Sequence, residues 1–291
     1  MKKEVCVQTE TRIAVGDVVF SIQTDRETAV DMNGAYAAFT SEQEPDVRLK
    51  VSSVDSFAEY TQKADLVFSG ADNWRMYRKD DTVLIETTSG LAVMGPEFRQ
   101  GDIYLREESE DGPDVFPSYP LSELLMINFL ARNNQGLMLH SCGIKCGGEG
   151  LLFAGASAAG KSTTANLWAT DQGTTVLSDD RIIVRKIESN FKIYGTPWHG
   201  EAEFNAADNA PLSVLFLLEK AKENHCRKLT PAAALKRILP CVFAPLWDSQ
   251  AMQNTLDYCA RLVTDIPVYE FGFIPDSTAV DFVRGQFLGR R

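Results

Sequence analysis

The sequence predicts a mixed α+β / α/β protein of two domains, a β-rich domain over residues 1–115 and a P-loop domain over residues 116–291. Three observations predict this. The first hundred residues carry short runs in which apolar and polar side chains alternate, the period of half-buried strands. The segment Arg106 to Pro120 (REESEDGPDVFPSYP) is acidic and holds three prolines and one glycine, the composition of a solvated linker, with a docking tail as the alternative. Beyond it, Gly155 to Thr164 (GASAAGKSTT) fits the pattern G-x-x-x-x-G-K-[ST] between a strand-like and a helix-like stretch.

In chain order, Ile13 to Ile22 and Asp46 to Val51 read as strands from their alternation. Ala29 to Phe39 and Ser56 to Gln62 read as short helices. Trp74 to Arg78 and Thr82 to Thr87, joined by Lys79-Asp80-Asp81, read as a hairpin, and Ile103 to Leu105 as a further strand. In the second domain, Ser118 caps a helix with Pro120 in its first turn. That helix, LSELLMINFLARN, is apolar on most faces and so expected to be buried. Leu137 to Lys145 is a strand, Gly147 to Gly150 a turn, and Leu151 to Ala154 the strand that feeds the glycine-rich loop. The turn is tight, so these two strands are expected to pair antiparallel. A helix runs from Lys161 to about Thr170. Strands follow over Thr174 to Leu177, Arg181 to Ile187 and Phe191 to Tyr194, then a continuous apolar strand over Leu212 to Leu218. Thr230-Pro231 opens a helix, another covers Ser249 to Val263, Val268 to Phe273 is a strand, and Ser277 caps a last helix to about Phe287.

With 44% hydrophobic and 24% charged residues over 291 positions, the chain has the composition of a globular protein with a substantial core. Its net charge of −11 and pI near 4.9 argue against nucleic acid or an anionic membrane as the main partner. The N-terminal MKKEVCVQTE has no apolar run behind its lysines, and no stretch approaches about 18 consecutive apolar residues, so neither a signal peptide nor a membrane span is expected and the expected location is cytoplasmic. The six cysteines are scattered, which is not a disulfide framework; Cys142 and Cys146 form a lone C-x-x-x-C, a pair of strand thiols rather than a metal site.

The loop is where the chemistry is expected. Gly155 and Gly160 let the backbone of Gly155, Ala156, Ser157, Ala158, Ala159, Gly160, Lys161, Ser162 and Thr163 curl with its N–H groups inward, and the helix N-terminus adds its positive end. Lys161 would reach the β- and γ-phosphates of ATP, and the Ser162 hydroxyl would ligate Mg²⁺. Asp179 and Asp180 follow only 18 and 19 residues after Lys161. Switch GTPases and motor ATPases place their metal-binding Asp much farther on. There is no N-K-x-D guanine-reading sequence and no LSGGQ-like signature, which lowers the switch and transporter readings.

The run LHSCGIKCGGEGLLFAGASAAGKSTTANLW, with VLSDDRIIV after it, resembles the catalytic domain of HPr kinase/phosphorylase and its relatives of the phosphoenolpyruvate-carboxykinase-like fold. A His-bearing strand, a tight turn, a P-loop and an Asp-Asp pair come there in this order. The resemblance spans about Ser118 to Arg291. It does not extend to the N-terminal region or to that family's downstream glycine-rich signature, where this chain has Gly195-Thr-Pro-Trp-His-Gly-Glu201. The resemblance implies two jobs for Asp179 and Asp180, one binding Mg²⁺ and one taking the proton of an acceptor hydroxyl, without saying which does which. It implies a place beside the phosphates for His140. Trp198, His199 and Glu201 are candidates for substrate or nucleotide contact, and Arg181 or Arg185 for neutralising the transferred phosphate, with ion pairing as the alternative. His225, in a charged stretch, reads as surface.

The expectation is therefore an ATP- and Mg²⁺-dependent kinase whose acceptor hydroxyl, by the resemblance, belongs to a Ser or Thr of a small protein or peptide, recognised with help from the N-terminal domain. The alternatives are a small-molecule hydroxyl as acceptor, or a nucleotide-binding regulatory module without catalysis. By the same resemblance a homo-oligomer is expected.

Overall fold

The computed structural model describes residues 9–25, 29–70, 74–107 and 114–288. Cys6 and the rest of the first eight residues, with residues 108–113 of the linker expected from the sequence, lie outside them. The chain is mixed α+β, with two large sheets in two compact units, Met1–Asn133 and Asn134–Arg291.

The first unit is built on an eight-stranded sheet. Its strands are β1 (Thr9–Val15), β2 (Val18–Thr24), β3 (Val47–Val54), β4 (Asp65–Ser69), β5 (Arg75–Lys79), β6 (Thr82–Thr87), β7 (Gly90–Met94) and β8 (Gln100–Arg106), in the order β1-β2-β3-β8-β7-β6-β5-β4. The stretch Ile13 to Ile22, expected as one strand, is two. Gly16 and Asp17 both take positive φ, 62° and 55°, and turn the chain into a hairpin, a turn whose twist matches that of its strands. Strands β4 and β7 were not expected. Gly90-Leu-Ala-Val-Met94 is buried at four of five positions and so lacks the alternation that marks a half-solvated strand. Of the two expected N-terminal helices, Ala29 to Phe39 is reduced to a 3₁₀ turn over Gly34–Phe39, and the other is the single turn α1 (Ala58–Thr61).

Helix α2 (Leu121–Arg132) packs on β6 and β7 and is buried from Leu121 through Ala131, as its all-round apolar surface requires. The chain division falls at its end, so this helix belongs to the first unit and not, as expected, to the second. Ser118 does not cap it. Pro120 occupies the N-cap, and the Ser118 carbonyl instead accepts from the Ser122 amide and hydroxyl. Of its buried polar side chains, Asn128 donates through Nδ2 to the Leu124 carbonyl at 2.7 Å within the helix, and Ser122 Oγ pairs with the distant Tyr36 hydroxyl at 2.8 Å.

The second unit has strands β9 (Leu137–Cys146), β10 (Glu149–Ala154), β11 (Thr174–Ser178), β12 (Arg181–Ile187), β13 (Asn190–Tyr194), β14 (Asn209–Lys220), β15 (His225–Lys228) and β16 (Val268–Phe273). Strands β9 and β10 pair antiparallel across the glycine turn, with Leu151 opposite Ile144. Strand β10 also pairs in parallel with β14, so β10, β9, β12, β13 and β14 close into a ring, while β11 adds to the C-terminal half of β9 and β16 and β15 extend the sheet beyond β14. His225, expected at the surface, begins β15 and is exposed.

Side chains of β10 and β14 go alternately to two cores. Leu152, Ala154, Leu215 and Leu217 meet α4 (Pro231–Ile238) and α5 (Ser249–Asp265). Leu151, Phe153, Val214 and Phe216 meet α3 (Lys161–Ala169) and α6 (Thr278–Val283). Burial on both faces is why Leu212 to Leu218 reads as an unbroken apolar run. Phe153 and Phe216 stack at 4.9 Å, and Phe271 and Phe287 close around Phe216 at 5.5 and 5.0 Å. This core lies directly beneath the loop that joins β10 to α3. Among the described residues, no helix is long and apolar enough to cross a membrane.

Candidate functional site

The loop after Ala154 rises from a strand hydrogen-bonded on both edges, so its base is rigid. It turns into α3 at Gly160, whose φ of 109° is a left-handed geometry that disfavours a side chain; a Cβ there would meet the Phe273 ring at 2.7 Å. Ala158 takes φ of 61° within the same loop. No side chain caps the N-terminus of α3, so its first N–H groups are left to an external acceptor.

Lys161 is 7% exposed, and its Nζ donates to the carbonyls of Gly155 (3.1 Å) and Ala156 (3.2 Å). Burial pulls its pKa below the usual lysine value, and the nearby Asp180 carboxylate only partly offsets this. The result is a lysine held against loop carbonyls that an anion could attract away.

Facing the loop is the bend between β11 and β12. Asp180 comes into the cavity there. Its Oδ1 accepts from His140 Nε2 at 2.8 Å, and its Oδ2 accepts from Arg181 Nη1. Burial pushes the Asp180 pKa up, but the His140 hydrogen bond and the charges of Arg181 and Lys161 outweigh it, leaving it below the ordinary value. The carboxylate is ionised at neutral pH. His140 is brought opposite by the pairing of β9 with β12, which sets it across from Arg181. Phe243, which sequence reasoning missed, backs both groups. Its ring lies 5.3 Å below the Arg181 guanidinium carbon and 6.2 Å from the His140 ring, and its amide donates to the Met138 carbonyl at 3.0 Å. An isolated Phe in a loop gave no periodic signal by which to find it.

A cavity of about 460 Å³ lies between these elements. From the loop it is lined by Ser157, Ala158, Gly160, Lys161, Ser162 and Thr163, and from the opposite side by His140, Asp180, Gly200 and Glu201. Gly155, Ala156 and Ala159, also expected from the sequence, are not among its lining residues. Of the downstream segment expected to carry substrate contacts, only Gly200 and Glu201 reach the cavity. Trp198 is buried at 7% exposure and turned inward, and His199 is exposed outside it. Arg181 touches the site through Asp180, whereas Arg185 is engaged with Gln135, at 3.2 Å to its carbonyl and 3.0 Å to its side chain.

Asp179 does not line the cavity. It is 1% exposed, and its two oxygens accept backbone N–H groups, Oδ1 from Gly200 at 2.9 Å and Oδ2 from Ala202 at 3.0 Å. Adjacent residues point to opposite sides at the bend, as expected, but the side Asp179 faces is the interior and not a second part of the cavity. Among the described residues, no three His, Cys, Asp or Glu side chains cluster as a metal site. The side-chain oxygens in the cavity lining are the carboxylates of Asp180 and Glu201, opposite the loop, and the hydroxyls of Ser157, Ser162 and Thr163 on it.

Fold and cavity together define an α+β protein with a polar pocket at an uncapped helix N-terminus. Residues 119–270, just over half of the chain, match the model of the family described as SynChlorMet cassette protein ScmC, and the chain belongs to that family. Among solved structures, the HPr(Ser) kinase/phosphatase from Coxiella burnetii is similar at 14% identity and a TM-score of 0.31, over 52% of this chain and 99% of that one. The resemblance noted from the sequence is, in structure, a distant one. A search of curated proteins gave no match.

Proposed function

We propose that the second unit is an ATP- and Mg²⁺-dependent kinase that phosphorylates a hydroxyl, with Ser or Thr of a small protein or peptide as the acceptor. The observation that carries this reading is the convergence of Lys161, Ser162, Asp180 and His140 on one cavity at the α3 N-terminus. The donor set fits the cofactor. Mg²⁺ is commonly held by one or two carboxylates together with phosphate oxygens and water, which matches a site that offers Ser162 and Glu201 but, among the described residues, no three-ligand cluster.

Bound there, ATP·Mg²⁺ would supply the activated γ-phosphoryl group. The N–H groups of α3 and the amine of Lys161 would neutralise phosphate charge. Ser162 and Glu201 would offer oxygens to the cation. Asp180, kept ionised and oriented by His140 and Arg181, would accept the proton of the acceptor hydroxyl. A small-molecule hydroxyl remains the second reading, since a carboxylate base would take the proton of a hydroxyl whatever molecule bears it.

The test is incubation of the purified protein with γ-labelled ATP and native lysate, with Asp180→Asn as the control. Label should appear on a protein or peptide. The Asn variant should bind ATP within about threefold of the original but lose transfer by at least about a hundredfold, because the carboxylate acts mainly in the transition state. Label on a metabolite supports the second reading. ATP binding without any transfer supports a regulatory module, and no ATP binding refutes all three.

A further inference from the structure

The sequence offers Asp179 and Asp180 as equivalent carboxylates, but the structure separates them. The segment after β13, residues 195–206, folds back onto the last residues of β11 at several points. The Ala206 amide donates to the Leu177 carbonyl at 2.9 Å, and Asn205 forms a bridge with Ser178. Ser178 Oγ donates to the Trp198 carbonyl at 3.1 Å, which also accepts from Thr196 Oγ1 at 3.1 Å. Asp179 then takes the amides on either side of Glu201, those of Gly200 and Ala202. The fit around Asp179 has no slack: a Cβ on Gly200 would stand 2.7 Å from Asp179 Oδ2 and 3.0 Å from the Asp180 Cβ.

We propose that Asp179 is a positioning residue, whose buried carboxylate clamps the two amides that flank Glu201 and so fixes the wall of the cavity opposite the glycine-rich loop. This rests on the kinase reading for its consequence in turnover, though not for the clamp itself. The chemistry suits the task. An ionised carboxylate accepts two N–H groups at once and donates nothing, so it alone among small side chains satisfies both amides. Asparagine keeps one acceptor oxygen and turns an NH₂ group against the other amide. The clamp spans the Glu201 peptide units and not its side chain, leaving that carboxylate free to face the cavity. Since Asp179 and Asp180 are adjacent, any shift of the clamped segment is felt next to the group that His140 holds.

Amide hydrogen exchange, followed by NMR, reads the clamp with no need of activity. In Asp179→Asn the Gly200 and Ala202 amides should exchange at least about tenfold faster, with the β9 and β10 amides unchanged. Gly200→Ala, which presses on the clamp from the other side, should give the same local pattern. In the transfer assay Asp179→Asn should lower kcat about tenfold or more while ATP affinity and the half-saturating Mg²⁺ concentration stay within about twofold. If Asp179 were instead a cation ligand, the Mg²⁺ requirement would rise about tenfold and excess cation would restore turnover, overturning the proposal. Unchanged exchange at Gly200 and Ala202 would overturn it as well. If exchange rises but the original protein transfers no phosphate, the clamp stands and the proposed reaction fails.

Discussion

Replacing Lys161 by methionine separates what the lysine does for the fold from what it does for a phosphate. The side chain is buried, and its charge is disfavoured there, so removing the charge relieves a penalty. Against this stands the loss of two hydrogen bonds to loop carbonyls. The Ala156 carbonyl belongs to an exposed residue and can turn to water, whereas that of Gly155 is buried and costs about 1–3 kcal/mol unpaired. The two effects nearly cancel, leaving a change of about 1 kcal/mol either way, or a Tm shift of about 2–4 °C. Binding has no such cancellation. Losing one charge-assisted contact to a phosphate costs about 1.5–3 kcal/mol, or about a tenfold to hundredfold weaker Kd for ATP·Mg²⁺. Calorimetric titration of both proteins, paired with thermal melts, tests this. An unchanged Kd would refute the phosphate assignment, and a Tm drop of more than about 8 °C would show that Lys161 is held for stability.

The sign for pH follows from the same shift. Because the folded-state pKa of Lys161 lies below 10.5, the unfolded chain holds more protons between the two values, so its contribution to stability rises with pH in that window; Lys161→Met should flatten this rise in chemical-denaturation curves taken across it. Asp180 works the other way round. Its folded pKa is lowered from 3.8, so its stabilising contribution is present above 3.8 and lost as pH falls through the folded value. His140→Ala removes the hydrogen bond that most lowers it, and the acid limb of the pH–kcat profile should move to higher pH; a limb that stays in place would separate His140 from Asp180 in the reaction. Phe216→Ala should cost about 3–5 kcal/mol in urea unfolding, since the ring is fully buried between Phe153, Phe271 and Phe287; a loss below about 1 kcal/mol would contradict the packing described.

The order of strand, turn, strand, loop and helix around Gly155 was legible because each step has a local signal: Gly147 and Gly148 both take positive φ, and Gly160 must. The strands buried on one face showed by alternation. Those buried on both, such as β7, showed only as apolar residues, and the hairpin at Gly16-Asp17 was hidden inside a run that looked continuous. For the site, the sequence brought Asp179 and Asp180 forward as a pair but could not divide their work. That division depends on which side of the bend the segment 195–206 packs, a contact made across some twenty residues. Phe243 is invisible for the same reason, being chosen by the space beside His140 and Arg181.

The parallel pairing of β10 with β14 has a consequence for how the protein is made. Leu151 meets Val214 in that ladder, so the strand beneath the loop gains its second neighbour only after the whole intervening stretch has been synthesised and the ring has closed. Contacts of such long sequence separation are entropically slow to form. Until β14 is in place, the emerging chain holds a complete GASAAGKSTT loop on a strand paired along one edge alone, by β9, with Leu151, Leu152 and Phe153 lying on its open edge. A fragment cut before Asn209 would keep every residue of the glycine-rich motif and present that apolar edge to other chains. The motif is contiguous in the gene, but the platform that makes it a site is assembled from residues separated by a fifth of the chain.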